Sequence, residues 1–497
     1  METPRSLLLI TVDCLGAGHL GFMGYDRPTT PFLDSLAVDS LVLHDAIVAG
    51  SPTYYSFPTI MASRYPLALG RDVMGIAPHE PTIATALSQS GYATAAFTAA
   101  NPYVSGRFGY DAGFDTFRDF LEGGGGSDSE AMRNGRARTR FNRRLMDFSR
   151  KFGSLGTAVY HELYFRYCQW RATSPASSYD KLRRFPAADV LVDHASDWLA
   201  GIAGKPFFLW LHFMDPHAPY YPGEEPLRLL GADPVDANRA MYLNSYWRRN
   251  ELQAGRLRRH RDEVITLYDA GIRWVDEQIS RLVGALRRLQ LWDNCVAAFT
   301  ADHGEEFLDH EGRYHSPPKV TEELIRVPLL LHSAGGRKQM VKTPFSFLDL
   351  APTLLDAAGA QAPVSFRGHS RWKELQNGQS WDGTAIVECV ASCTNPFNVE
   401  NRRGGRILAV REGRYKLVLD FHAPSELFFD LENDPHELQP LPAEAQTSVR
   451  RRLLERAHCH LMESLRLRDP EVRLRARLRD IRMEWIGAAA QAAVVER

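Results

Sequence analysis

The sequence predicts an α/β fold built on a large, mostly parallel sheet sandwiched by helices. Three observations predict it: short unbroken apolar runs recur along the chain, helical patterns lie between them, and residues able to carry chemistry stand just after the runs. Strands buried on both faces of a parallel sheet read as continuous apolar segments rather than alternating ones. The runs are Ser6 to Val12, Phe207 to His212, Cys295 to Thr300 and Val327 to His332. Helices are expected over 30–37, with Pro31 suited to a first turn, and over 82–90, closed by Gly91. The longest is expected over 262–291, where Val264, Leu267, Ile272, Val275, Ile279 and Leu282 form an apolar stripe. In such sheets sites lie at the carboxyl ends of strands. Asp13, His212 to His217, and Asp302 with His303 hold that position, and Thr53 follows a run less closely.

The 497 residues are 44% hydrophobic and 24% charged, which excludes a disordered, collagen-like or coiled-coil chain. The formal net charge is −1, so no global field draws nucleic acid or a membrane surface. The first apolar run leads into Asp13 rather than a small-residue cleavage site, and no segment approaches the roughly 18 apolar residues of a membrane span. The expected compartment is the cytoplasm. The cysteines at 14, 168, 295, 389, 393 and 459 are scattered and read as reduced thiols, not as a disulfide framework or a zinc motif.

A catalytic unit is expected over 1–365, a small antiparallel subdomain over 366–445 and a helical, Arg-rich tail over 446–497. Ile407 to Val410, Tyr415 to Leu419 and Leu427 to Leu431 are strand-like, with Glu412-Gly413 as a turn. Gly123 to Gly126 reads as a hinge into a basic helical insert over about 123–200. Between Arg133 and Arg184, 13 Lys or Arg stand against 3 Asp or Glu, beside Tyr160, Tyr164, Phe165, Tyr167 and Trp170. Such a segment is a solvated helical face or a cap that draws in an anionic substrate, and no nucleic-acid motif accompanies it.

Asp302-His303-Gly304 offers a carboxylate and an imidazole to a divalent cation, and Asp13 ends the first strand in the same way. Each has a plainer reading as a turn cap or a packed side chain. Pro216, Pro219 and Pro222 stiffen the loop carrying His212, Asp215 and His217, which suits general acid work or a hydrogen-bonded structural loop.

Taken together, the stretches LLLITVDCLGAGHLGFMGYDRPTTPFLDSLA, SPTYYSFPTIMASRYP, FGYDAGFDTF, FFLWLHFMDPHAPY, FTADHGEEFLDHEGRYH, EELIRVPLLL and FLDLAPTLLDAAG resemble, in order, the sulfatase family of the alkaline phosphatase superfamily. REGRYKLVLD and LFFDLENDPHE resemble that family's small terminal subdomain, so the likeness covers roughly 6–440. The resemblance implies an alkaline-phosphatase-like fold and a metal-dependent hydrolase of small anionic sulfate, phosphate or phosphonate esters. It implies that Asp13, Asp302 and His303 hold one calcium, magnesium or manganese ion, while some superfamily relatives hold two zinc ions. It places Thr53 at the nucleophile position, with Ser56 and Ser51 as alternatives, and His217 beside the leaving group. His315, with Lys319 close by, falls near a downstream His or Lys position, and His212 and Asp215 fall among supporting residues. A soluble phospho- or sulfo-group transferase, a degenerate non-catalytic protein and an oligomer remain open.

The departures from the family are specific. Cys14 stands where many members carry a second carboxylate, and a thiol is a poor ligand for a hard cation. Glu305, Glu306 and His310 are candidates to replace it. The family's C/S-x-P-x-R becomes Thr53-Tyr54-Tyr55-Ser56-Phe57. Oxidation of Thr would leave a ketone, not the formylglycine aldehyde that sulfatases use. An unmodified alkoxide is the superfamily's route for phosphoryl groups, so phosphorus esters are expected over sulfates.

Overall fold

The computed structural model describes residues 4–71, 73–121, 162, 163, 165, 166, 178–202 and 204–466. The glycine hinge, most of the basic insert and the tail beyond 466 lie outside them.

The strands, in chain order, are β1 (Ser6–Val12), β2 (Leu41–Ile47), β3 (Ala93–Thr98), β4 (Thr116–Arg118), β5 (Phe207–Phe213) and β6 (Cys295–Ala301). There follow β7 (Glu306–Phe307) and β8 (Arg313–Tyr314), which form a separate hairpin, then β9 (Arg326–Ser333), β10 (Gln339–Val341) and β11 (Phe345–Ser346). The large sheet runs β10-β2-β9-β6-β1-β5-β3-β4, with β11 beside β2. Every residue of β1, β5 and β6 is buried, as the apolar runs require. β9 departs from the parallel expectation: it is antiparallel to both β2 and β6. Two reversals restore the direction of β2, so β1, β2, β3, β5 and β6 all end at one edge of the sheet.

Helices α1 (Pro31–Ala37), α2 (Thr53–Ala62), α3 (Ile83–Gln89), α4 (Ala188–Gly201), α5 (Arg261–Arg288) and α6 (Leu350–Ala358) cover the sheet in two groups. α1 and α4 pack with α5, and α4 lies on β3 and β5. α2 and α3 pack with α6, which lies on β1 and β6. Gly271 of α5 is one place where a side chain is forbidden: a Cβ there would stand 2.9 Å from the Asp215 carbonyl oxygen. The helix therefore presses against the loop that carries Asp215 and His217. Among the described residues, no helix is long and apolar enough to cross a membrane, and the five cysteines are free.

The second sheet is antiparallel, β12 (Thr384–Val390), β13 (Arg406–Glu412), β14 (Tyr415–Asp420) and β15 (Ser425–Asp430) in that order. Three of these strands match the expected runs, and β12 is the addition. Helix α7 (Thr447–Arg466) packs Leu453 and Ala457 onto Leu408, Val410, Leu417 and Phe428. The sheet meets the larger body through β12, whose Ala385, Val387 and Cys389 join the main core, and through a buried charge cluster. The ammonium of Lys416 is inaccessible to solvent, 3.1 Å from Glu322 Oε1 and 2.7 Å from Glu437 Oε1. Removing one member of a buried ion pair strands its partners, at a cost of about 3 kcal/mol. Lys416→Ala is expected to lower the thermal unfolding midpoint by several degrees, and Lys416→Arg less, as read by calorimetry.

Candidate active site

The shared strand edge gathers the polar residues that the core excludes. Asp13 follows β1, Asn101 follows β3, His212 ends β5, and Asp302 and His303 follow β6. All five are buried. Thr53 is the first residue of α2, whose side chains are buried throughout. Its hydroxyl lies 3.1 Å from His303 Nε2 and 3.5 Å from Asp13 Oδ2. Ser51 and Ser56 are also buried, but their hydroxyls have no hydrogen-bond partner.

One oxygen of each carboxylate is held. Asp13 Oδ2 accepts from Asn101 Nδ2 at 2.8 Å, and Asp302 Oδ1 accepts from the amides of Cys14 and His303 at 3.2 and 2.9 Å. The other oxygens, Asp13 Oδ1 and Asp302 Oδ2, are buried with no hydrogen-bond partner. His303 Nδ1 donates to the Gly304 carbonyl at 2.8 Å. That leaves the Nε2 lone pair toward both carboxylates, 3.7 Å from Asp13 Oδ1 and 3.5 Å from Asp302 Oδ2. Burial takes His303 down to about 3, so the ring is neutral and able to ligate. Burial pushes Asp302 well above the usual carboxylate range, and the charge of Asp13 adds to this. Burial also opposes ionisation of Asp13, but His217, His212 and His303 outweigh it and hold that carboxyl low. Two facing orphan oxygens and a neutral imidazole are a donor set that fits a divalent cation.

The remaining expected residues fall into place around this set. His212 lies behind Asp13, with Nε2 3.4 Å from Asp13 Oδ2 and Nδ1 3.0 Å from the Thr11 hydroxyl. His217 stands in front, its Nδ1 donating to the Ala218 carbonyl at 2.6 Å and its Nε2 4.0 Å from Asp13 Oδ1. The His315 ring is 5.1 Å from that of His217 and 4.5 Å from that of His303. Asp215 is turned away, toward Arg183 and the Ala188 amide, and burial lifts its carboxyl to about 6. Lys319 is not brought into the cluster: its ammonium pairs with Glu306. That pairing also removes Glu306 as a substitute for the missing carboxylate, and His310 is occupied by Glu323 at 3.2 Å. Glu305 faces Cys14 and His315 instead of Asp13. Asn101 was absent from the sequence reading; its signal is its place just past the carboxyl end of β3, a strand whose Ala-rich stretch ATAAFT gives little apolar weight. Gly304 is required by a close approach: a Cβ there would meet the Glu323 carbonyl oxygen at 1.9 Å.

The Sulfatase family model matches residues 5–360. The chain belongs to the sulfatase family. The model for the C-terminal part of N-sulphoglucosamine sulphohydrolase matches residues 311–463. The chain is 26% identical over 296 residues to the multifunctional alkaline phosphatase superfamily protein PehA of Trinickia caryophylli, covering 52% of this chain and 56% of that protein. It is 30% identical over 257 residues to the choline-sulfatase of Rhizobium meliloti, covering 48% and 46%. The match thus spans about half the length of these relatives. The phosphonate monoester hydrolase of Agrobacterium radiobacter superposes with a TM-score of 0.61 at 20% identity, over 93% of this chain and 96% of that one. BT4656, solved with its substrate D-glucosamine-2-N,6-O-disulfate, gives 0.63 at 16% identity over 93% and 98%. At such identities these likenesses establish the fold.

Within this sulfatase fold, Phe57 fills the family's arginine position and lies edge-to-face on His212, with ring centroids 4.9 Å apart. Asn101 donates to the Asp13 oxygen turned away from the orphan pair of the candidate cation site. Loss of such an outer partner typically costs 10- to 100-fold in metal affinity. Asn101→Ala is expected to weaken manganese binding by about that factor in titration calorimetry, with an unchanged circular dichroism spectrum.

Proposed function

We propose that this sulfatase-family protein hydrolyses phosphate or phosphonate esters through the unmodified hydroxyl of Thr53. The observation that carries the reading is the position of that hydroxyl, between Asp13 and His303 and beside the two orphan carboxylate oxygens. Asp13, Asp302 and His303 would hold the cation, and their oxygen-rich set suits calcium, magnesium or manganese. When bound, such a cation supplies Lewis acidity that favours the Thr53 alkoxide and offsets charge on the transferred group.

The protein's own residues do the rest. Thr53 Oγ1, its proton already released to solvent, attacks phosphorus in line as the alkoxide. The bond to the leaving oxygen breaks, and His217 delivers a proton to that oxygen. His217 Nε2 is the free nitrogen, since Nδ1 is committed to the Ala218 carbonyl. The positive end of the α2 dipole favours negative charge at Thr53, the first residue of that helix. His315 adds positive charge from the other side, while His212 braces Asp13. Water then attacks the phosphorus of the Thr53 ester, His217 takes its proton, and Thr53 leaves as the alkoxide. A cleft of about 360 Å³ opens beside His217 and His315, lined also by Arg184, Arg248, Tyr221 and Tyr314, and receives the organic part of the ester. Both arginines are exposed, which suits an anionic substrate. The free thiols suit a reducing compartment, and we place the protein in the cytoplasm.

The test is a panel of aryl sulfate, phosphate monoester, phosphodiester and phosphonate monoester with Mg, Mn, Ca and Zn. A phosphorus ester is expected to be preferred. Thr53→Ala is expected to lower its kcat by about 10⁴-fold or more, and Thr53→Ser to retain turnover. Preference for aryl sulfate, with a mass change at Ser51 or Ser56, would overturn the assignment. His217→Gln is expected to slow alkyl esters by about 10² to 10⁴-fold and nitrophenyl esters far less, because only the poorer leaving group needs the proton.

A further inference from the structure

A second group of donors stands beside the first, and the proposed reaction makes no use of two of its three members. Cys14 Sγ, a carboxylate oxygen of Glu305 and a ring nitrogen of His315 lie within 4.8 Å of one another. We propose that Cys14, Glu305 and His315 form a separate cation site with a zinc-type donor set.

The local chain path explains the meeting. In the β7–β8 hairpin Glu306 is paired with Tyr314, so the residues just outside that pair, Glu305 and His315, come abreast. His315 Nδ1 lies 3.4 Å from Glu305 Oε1, without forming a hydrogen bond. Cys14 comes from β1. Its backbone is left-handed, with φ of 49°, an uncommon conformation for a residue with a side chain. That conformation is held at both ends: the Cys14 amide donates to Asp302 Oδ1, and its carbonyl accepts from the Tyr268 hydroxyl at 2.7 Å. The thiol donates to the Pro216 carbonyl at 3.6 Å and stands within 4.8 Å of a Glu305 carboxylate oxygen and a His315 ring nitrogen.

Glu305 is the observation that calls for a ligand. Its side chain is fully inaccessible, and neither carboxylate oxygen has a hydrogen-bond partner. Lys319, the nearby ammonium in sequence, is taken by Glu306. Among the described residues the ion-pair partner of Glu305 is His315, which stands off at 3.4 Å without a hydrogen bond, so the buried carboxylate is incompletely satisfied, and buried charges are paired or coordinate metals. One sulfur, one oxygen and one nitrogen are the mixed donors that zinc accepts, with a fourth position left open. A hard cation would prefer the oxygen-rich pocket of Asp13 and Asp302, so the two sites sort their ions by chemistry.

The test reads binding, not turnover, so it stands apart from the ester reaction. Full-length protein is stripped with chelator, loaded with Zn(II) or Co(II) alone, and desalted. The expected result is two zinc ions per chain by mass spectrometry and a thiolate-to-Co(II) charge-transfer band in the near ultraviolet. Cys14→Ser and Glu305→Gln are each expected to reduce the stoichiometry from two to one, and Cys14→Ser to abolish the band. Asp302→Asn is expected to remove the other ion and leave the band in place. A wild-type protein that binds one ion without the band, or a band that survives Cys14→Ser, overturns the proposal. Circular dichroism of each variant must match wild type, and the near-isosteric Glu305→Gln supplies an independent loss of one ion.

Discussion

Two buried carboxylates, side by side at the ends of the two central strands, set the terms for the rest of the molecule. β1 and β6 pair in register, so Asp13 and Asp302, one residue past that pairing, must face one another. Surrounded by a core with no exposed residue in β1, β5 or β6, neither charge is stable alone. The neighbouring groups answer that problem. Asn101 and backbone amides hold one oxygen of each, three imidazoles crowd Asp13, and the remaining oxygens point into a gap of cation size and chemistry. Thr53 is useful because it enters this same field, at the start of a helix that cannot move outward without exposing ten buried residues.

That helix is braced by the smaller sheet. The Glu388 amide of β12 donates to the Ala49 carbonyl, and Glu388 Oε1 accepts from the Leu67 amide. Tyr54, next to Thr53, donates its hydroxyl to the Cys393 carbonyl. His460 of α7 closes on the same Glu388 carboxylate at 3.0 Å. The segments before and after α2 are therefore pinned by β12 and by a helix that packs on its sheet. Damage to the Lys416 cluster would be felt at Thr53 through this route, although Lys416 lies outside the site.

The sheet was legible where packing alone decides the sequence. β1, β5, β6 and β9 read as unbroken apolar runs because they are buried on both faces, and Asp13, Asp302 and His303 were found by standing behind them. β2 and β3 were not legible. LVLHDAI carries His44 and Asp45 in mid-strand, and ATAAFT is small and weakly apolar, so partner strands rather than intrinsic pattern make them strands. Missing β3 meant missing Asn101. The direction of β9 was equally hidden, because apolar burial does not encode strand polarity. Cys14 shows a different limit: adjacency to Asp13 suggests a shared ligand role, yet one left-handed φ turns its side chain to another set of partners. That the Thr53 hydroxyl stands 3.1 Å from His303 and 3.5 Å from Asp13 likewise depends on the register of α2, which no spacing reveals.

The loss of the family's arginine has an electrostatic consequence. Phe57 aligns with that position and lies among Trp210, Tyr110 and His212, with ring centroids 5.6, 5.9 and 4.9 Å away, so α2 itself offers no guanidinium there. Positive charge must come from the opposite wall, from His217, His315 and the cation pocket, and from the first turn of α2. With one cation, that complement would suit a transferred group bearing a single negative charge, as in a phosphonate monoester, a phosphodiester or a sulfate ester. A phosphate monoester carries two, and its second charge would go unmatched in a site from which water is largely excluded.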